Sequence, residues 1–224
     1  MKRISAKTVV GILLLISSAL LAQGQASAPD QTDNQSWNDV YLFVPLTKQV
    51  DFVMQGTMRL GRDLARPVDE RVGVGFSFRF GKYLTVLPNY LHIRTQPFEN
   101  RRGHENRLSL PATVKFPVGK FTFSDRNLVE RRLRHPGGDS TRYRNRLQID
   151  HPIGPAKHKL SVFVSDEVFY DWSFEEWVRN RFAVGVTKVL SKHLTSDLYY
   201  LRQNDGRALP GDLHVIGTAL RVRL

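Results

Sequence analysis

The chain has 224 residues, with 33 Lys and Arg against 21 Asp and Glu for a formal charge of +12, 41% apolar residues and no cysteine. This balance excludes an acidic disordered tail and a chain too polar to build a core. The missing cysteines exclude a disulfide scaffold, a thiolate metal site and a cysteine nucleophile, and beyond residue 30 no apolar run reaches the roughly 18 residues of a membrane-spanning helix.

Residues 1–28 read as a signal peptide. Lys2, Arg3 and Lys7 precede an apolar stretch at 9–22 that is too short to span a bilayer, and small residues suited to cleavage follow at 24–28. Without Lys2, Arg3 and Lys7 the balance is 30 basic against 21 acidic residues, still +9. Residues 29–35 read as a short linker, and 36–224 as a single domain.

That domain repeats a period of two. In 71–80, Val72, Val74, Phe76, Phe78 and Phe80 alternate with Arg71, Gly73, Gly75, Ser77 and Arg79. A helix would scatter the apolar residues round its circumference, whereas a strand gathers them on one face. The pattern returns at 107–116, where Leu108, Leu110, Ala112, Val114 and Phe116 interleave with Arg107, Ser109, Pro111, Thr113 and Lys115. Weaker copies occupy 142–150, 159–168, 181–187 and 216–224. About eleven strand candidates are present, many longer than the usual 5 or 6 residues. Bacterial outer-membrane barrels have even strand numbers, so ten or twelve is expected. Pro88 and Pro111 fall inside strand patterns, where each removes a ladder donor and predicts a bulge or kink.

The connections alternate. Those near 45–48, 81–82, 117–120, 154–157 and 191–193 are tight; those near 63–69, 97–104, 133–141, 171–175 and 204–212 are longer and rich in charge, Gly and Pro. This predicts an up-and-down meander with one quiet and one decorated rim. The polar face mixes small residues such as Gly73, Ser109, Ser161, Gly185 and Gly217 with arginine, a mixture that suits a crowded barrel interior. Arginine supplies 23 of the 33 basic residues, and its planar fork suits dense ion-pair networks. Trp37, Tyr41, Tyr83, Phe121, Tyr143, Tyr170, Trp172 and Tyr199 are expected at the membrane interfaces. The predicted fold is therefore all-β, an up-and-down antiparallel transmembrane β-barrel of about 10–12 strands with its apolar faces turned outward. A soluble periplasmic β-barrel binding a small acidic or lipidic ligand is the second reading.

The early Trp37, the run Glu105-Asn106-Arg107-Leu108, the Arg-rich stretches 126–134 and 142–147, Asp166-Glu167-Val168-Phe169, Arg179-Asn180-Arg181-Phe182 and Tyr199-Tyr200-Leu201-Arg202 together resemble the bacterial domain-of-unknown-function family numbered 2490. The resemblance covers essentially the whole chain after the signal segment. It implies an outer-membrane β-barrel and a cell-outer-membrane location, and it carries over no catalytic residue.

With polar faces inward, Arg79, Arg107, Arg126, Arg142, Arg144, Arg146, Arg179, Arg181 and Arg202 are expected to line the lumen, with Glu105, Glu130, Asp150 and Glu167 as their acidic partners. A surplus of guanidinium groups between low-dielectric walls would attract small anions, giving a narrow anion-accepting channel or, if the interior is filled, a structural or surface-interaction protein. Arg101, Arg102, Arg131, Arg132 and Arg134 are expected on rim loops, where they could pair with phosphates of surface lipid. Outer-membrane lipid is the expected surrounding partner. Nucleic acid is not expected, because export and the lack of a recognition helix oppose it. The seven histidines form no metal-ligand spacing, and no cofactor motif is visible. A membrane-embedded lipid-modifying enzyme would need a lipid-facing histidine such as His92 or His214, but no G-x-S-x-G supports one, and a protein without enzymatic activity is expected.

Overall fold

The computed structural model describes residues 32–98 and 101–224; the predicted signal peptide lies outside them. The described segments are β1 (Thr32–Pro45), β2 (Val50–Gly61), β3 (Arg66–Phe80), β4 (Leu84–Val86), β5 (Asn89–Phe98), β6 (Arg101–Val118), β7 (Phe121–His135), β8 (Ser140–Ile153), β9 (Leu160–Asp171), β10 (Glu176–Val189), β11 (Leu194–Asp205) and β12 (Asp212–Arg223). Each packs beside its sequence neighbours in a closed meander. β1 begins at Thr32, so residues 32–35, expected as linker, belong to the barrel wall.

β4 and β5 pair with the same two neighbours, β3 and β6, and form one barrel strand interrupted at Leu87 and Pro88. The wall therefore has eleven strand positions, not the ten or twelve expected. Every antiparallel step reverses direction, so the eleventh strand runs with the first and the closing seam must be parallel. β1 and β12 pair in parallel from Thr32–Asp212 to Phe43–Arg223, and the Thr218 hydroxyl donates to Asn38 Oδ1 across that seam at 2.8 Å.

The two prolines share one irregularity. Pro88 breaks the strand, as expected, whereas Pro111 stays within an unbroken β6. A residue's N–H and C=O point to the same neighbour in a strand. The Pro111 carbonyl accepts from Leu87 N at 2.9 Å, so its missing N–H falls at the break beside Pro88, where no ladder bond is lost.

The rims also differ from expectation. Connections at 46–49, 81–83, 119–120, 154–159 and 190–193 form one rim, here called lower, and those at 62–65, 136–139, 172–175 and 206–211 lie at the upper rim. The two sets are equally short. The decorated rim is made by long strands whose charged ends project past their neighbours; β6 alone runs 18 residues. At residues 62–64 three consecutive non-glycine residues adopt left-handed backbone, with φ between 52° and 69°. Each costs about 1–2 kcal/mol, and the buried Asp33 carboxylate offsets this by accepting the Arg62 and Asp63 amides at 3.0 Å.

The alternation fixes the faces as predicted. Phe76, Leu110 and Val184 lie on the outer surface with 43%, 54% and 47% exposure, whereas Arg107 and Glu130 point to the axis at 7% and 1%. Period two also carries Trp37, Tyr41 and Tyr199 inward, which corrects their expected place in the interfacial girdle. Trp37 packs inside the barrel with Ala183, Leu201, Leu213 and Val215, and Tyr199 closes over that cluster. Gly217 is required there, because a Cβ would stand 2.1 Å from the Tyr199 ring. The outward girdle is carried instead by Tyr143, Tyr170, Trp172 and Trp177, whose rings meet edge-on at 5.5–6.4 Å.

Candidate functional site: the arginine lumen and the outer wall

The upper lumen is filled by charge pairs set two residues apart on successive strands. Glu105 accepts from Arg107 Nε at 2.6 Å and from Arg132 Nη2 at 2.8 Å. Glu130 Oε2 receives Arg107 and Arg144, each at 3.2 Å. Glu167 Oε1 receives Arg144 Nη2 at 2.8 Å and also Arg126, and Asp171 receives Arg142 Nη2 at 2.8 Å. Such pairs offset the cost of removing ions from water only when nearly every lone pair is used.

The guanidinium groups also stack. Arg181 stands between the two large rings of the lumen, 4.7 Å from the Trp37 centroid and 4.8 Å from that of Phe169. Arg59 covers Trp37 at 3.7 Å and Arg144 covers Phe169 at 4.5 Å. Cation–π contacts strengthen where water is excluded, and here Asp171 and Phe169 are 0% and 1% exposed. Side chains from both sides of the barrel meet across the axis at this level.

Most of the predicted lumen residues lie where expected: Arg79, Arg107, Arg126, Arg142, Arg144, Arg146, Arg179 and Arg181 all point inward. Arg202 does not. Its cross-strand neighbours are Phe182 and His214 on the outer face, while the buried Leu201 and Gln203 flank it on the inner one. Glu105, Glu130 and Glu167 are arginine partners as expected, but Asp150 accepts from Gln148 at 3.0 Å instead. Arg132, expected on a rim loop, is an interior residue bound to Glu105. Arg101, Arg102, Arg131 and Arg134 do sit at the upper rim, on strand ends and not on loops.

The inward acids are more numerous than the sequence reading allowed. Asp51 binds Arg79 and Arg223, Asp69 binds Arg71, Asp197 binds Arg221 and Asp205 binds Arg179. All share the inward parity of their strands, and that parity was the available signal. The cationic surplus is therefore local. It concentrates where Arg126 and Arg146 stand directly opposite each other on β7 and β8. Glu167, the carboxylate in register with Arg146 on β9, is already taken by Arg126 and Arg144. Nε of both Arg126 and Arg146 is buried without a hydrogen-bond partner among the described residues.

The outer wall is not uniformly apolar. Asp125, Asn127, Tyr143 and Asn145 form one hydrogen-bonded set, and Asn180 donates to Asp166 at 2.9 Å. Polar groups facing hydrocarbon must satisfy one another. A second set lies on β5 and β6, where the Tyr90 hydroxyl and His92 Nδ1 both reach Asn106 Oδ1, at 2.8 and 2.9 Å. Above it, Arg94, His104 and His135 are aligned in register, and a cavity of about 680 Å³ opens between them, Arg102 and the 62–66 turn. Below it, an apolar groove of about 470 Å³ follows the β4–β5 break between Phe76, Tyr90, Leu108 and Val129. His214 is bonded to the Tyr200 hydroxyl at 2.6 Å, so both histidines named from sequence are indeed outward, and both are held by neutral partners. Among the described residues no group of three His, Cys, Asp or Glu is arranged to hold a metal ion.

Solved structures of similar architecture include LpxR from Salmonella typhimurium, with a TM-score of 0.51 and 10% identity over 82% of this chain and 87% of that one. Others are the anion-selective porin from Comamonas acidovorans (0.41, 16%, 80% of this chain and 54% of that one) and the NanC porin (0.47, 10%, 81% and 93%). The chain spans about half the length of the Comamonas porin. At such identities the likeness is one of fold. No curated protein sequence matches the chain. The family model described as "Protein of unknown function (DUF2490)" matches residues 34–212, nearly the whole barrel, so the chain belongs to that family and has the fold of an outer-membrane-type β-barrel.

Proposed function

We propose that this protein resides in the outer membrane after export and signal-peptide removal, that its barrel is closed to solute flow, and that small anions enter only the lower lumen as far as Arg146. In this reading it performs no catalysis and acts through its surface and its anion site. One observation carries the closure: Trp37, Arg181 and Phe169 are stacked across the upper lumen at 4.7–4.8 Å, with Glu130 and Asp171 sealed from water beside them. The anion site is supported by the facing Arg126 and Arg146, whose buried Nε–H groups await an acceptor. The outward apolar faces argue against the soluble alternative, since a water-facing surface carrying Phe76, Leu110, Val184 and Ile216 together would aggregate.

Two measurements test this. In planar bilayers the purified protein gives no conductance steps. Anion-preferring steps abolished by Arg144→Glu with Arg146→Glu would replace closure with the narrow-channel reading. In detergent, inorganic phosphate raises the thermal midpoint of the wild type, because a ligand bound only to the folded state stabilises it. The Arg146→Gln variant keeps the unliganded midpoint, having lost no ion pair, but loses the phosphate response. A response equal in both would exclude Arg146 as the anion ligand.

A further inference from the structure

We infer that the outer wall formed by β5, β6 and β7 is a binding site for one phosphorylated membrane lipid, with the headgroup phosphate at the upper rim and an acyl chain in the groove below. Three zones follow one another down β5 and β6, from a cavity at the upper rim that is lined from both faces of the wall to the outward surface below it. At the rim, Arg94 and Arg102 line the 680 Å³ cavity, and neither enters an ion pair among the described residues. His104 and His135 stand beside them with ring centroids 5.1 Å apart. Guanidinium forks match phosphate oxygens two at a time. Asp69 and Glu70 also line this cavity. Asp69 is already bound to Arg71, and Glu70 lies in register with Arg94 without pairing to it.

The middle zone supplies hydrogen bonds at the depth of a lipid's ester linkages. Tyr90 and, with its proton on Nδ1, His92 both donate to Asn106 Oδ1, which turns the Asn106 amide nitrogen, a donor, toward the lipid. The lowest zone is the 470 Å³ groove. It lies at the break between β4 and β5 beside Pro88 and is lined by Phe76, Leu108, Leu110 and Val129. Arg131 borders this groove, with its guanidinium turned to Thr141 and Asp139 at 3.2–3.4 Å. A phosphate site above, an amide donor for a linkage oxygen in the middle and a hydrocarbon slot below follow the order of groups along an anionic phospholipid. A soluble anion would use only the first zone. The inference rests on the membrane placement proposed above and is independent of whether the lumen conducts.

Native mass spectrometry of the full barrel released from detergent tests it, using phosphatidic acid and phosphatidylcholine with the same acyl chains. Phosphatidic acid is expected to be retained roughly tenfold more than phosphatidylcholine, and Arg94→Gln with Arg102→Gln to remove that preference. Leu110→Ser, in the groove, is expected to weaken both lipids about threefold, as lost apolar burial dictates. Lys120→Gln at the lower rim serves as the matched control and leaves the adduct unchanged. Equal retention of the two lipids, an adduct that survives the double substitution, or displacement of phosphatidic acid by equimolar inorganic phosphate would each overturn the assignment. If these fail while the barrel still inserts into vesicles, the lipid site is lost and the membrane placement stands.

Discussion

Glu167→Gln is expected to destabilise the barrel by about 3–5 kcal/mol, the usual cost of removing one partner from a buried ion cluster. The carboxylate is 6% exposed, binds Arg144 at 2.8 Å and Arg126, and stands 4.0 Å from Arg181. The amide keeps the shape but leaves Arg126 and Arg181 without a counter-charge and Arg144 with Glu130 alone. The effect is expected to be large because, among the described residues, no other carboxylate is paired with Arg126 or Arg181: Glu130 bonds Arg107 and Arg144, and Asp150 accepts from Gln148. Urea titration of the detergent-folded protein, followed by the heat-dependent shift in gel mobility, measures the loss. A change under about 1 kcal/mol would mean that water, not Glu167, compensates the arginines.

Val184→Arg is expected to cost roughly 2–4 kcal/mol in bilayers, the penalty for a cation on the lipid face near the midplane of a membrane barrel. Val184 lies near the middle of β10, 47% exposed, with the outward Val164 and Tyr200 as cross-strand neighbours. On a water-facing surface the same change stays within about 0.5 kcal/mol. Urea-dependent folding into lipid vesicles separates the two figures. A near-zero cost would place this face in water and bring back the soluble reading.

How legible the molecule was depends on which neighbours a property needs. The alternation at 71–80 and 107–116 carried the strands, their faces and the crowded polar interior, because side-chain direction in a strand follows from residue parity alone. The eleven strand segments could also be counted from the alternation. Only the generalisation about even numbers displaced that count, and the parallel β1–β12 seam shows why an odd meander can still close. Arg202 was misplaced for a different reason. The parity along β11 is clear only once Leu201 and Gln203 are seen to be buried, and both neighbours of Arg202 there are uncharged. Trp37, Tyr41 and Tyr199 were read by residue type, as interfacial aromatics, when parity placed them on the inner face.

By itself the sequence determined an all-β barrel with greasy outer faces and an arginine-rich interior, since these follow from period two, strand length and composition along one chain. The tertiary structure alone decided which arginines find carboxylates. Arg144 and Arg146 are two residues apart on one face of β8, yet Glu130 and Glu167 pair with the first only, although Glu167 stands in register with the second. It also decided that Trp37 and Phe169, 132 positions apart, stack on the same guanidinium across the axis. Contacts between distant strands depend on how the wall curves and staggers, and no pattern local to either strand encodes that distance.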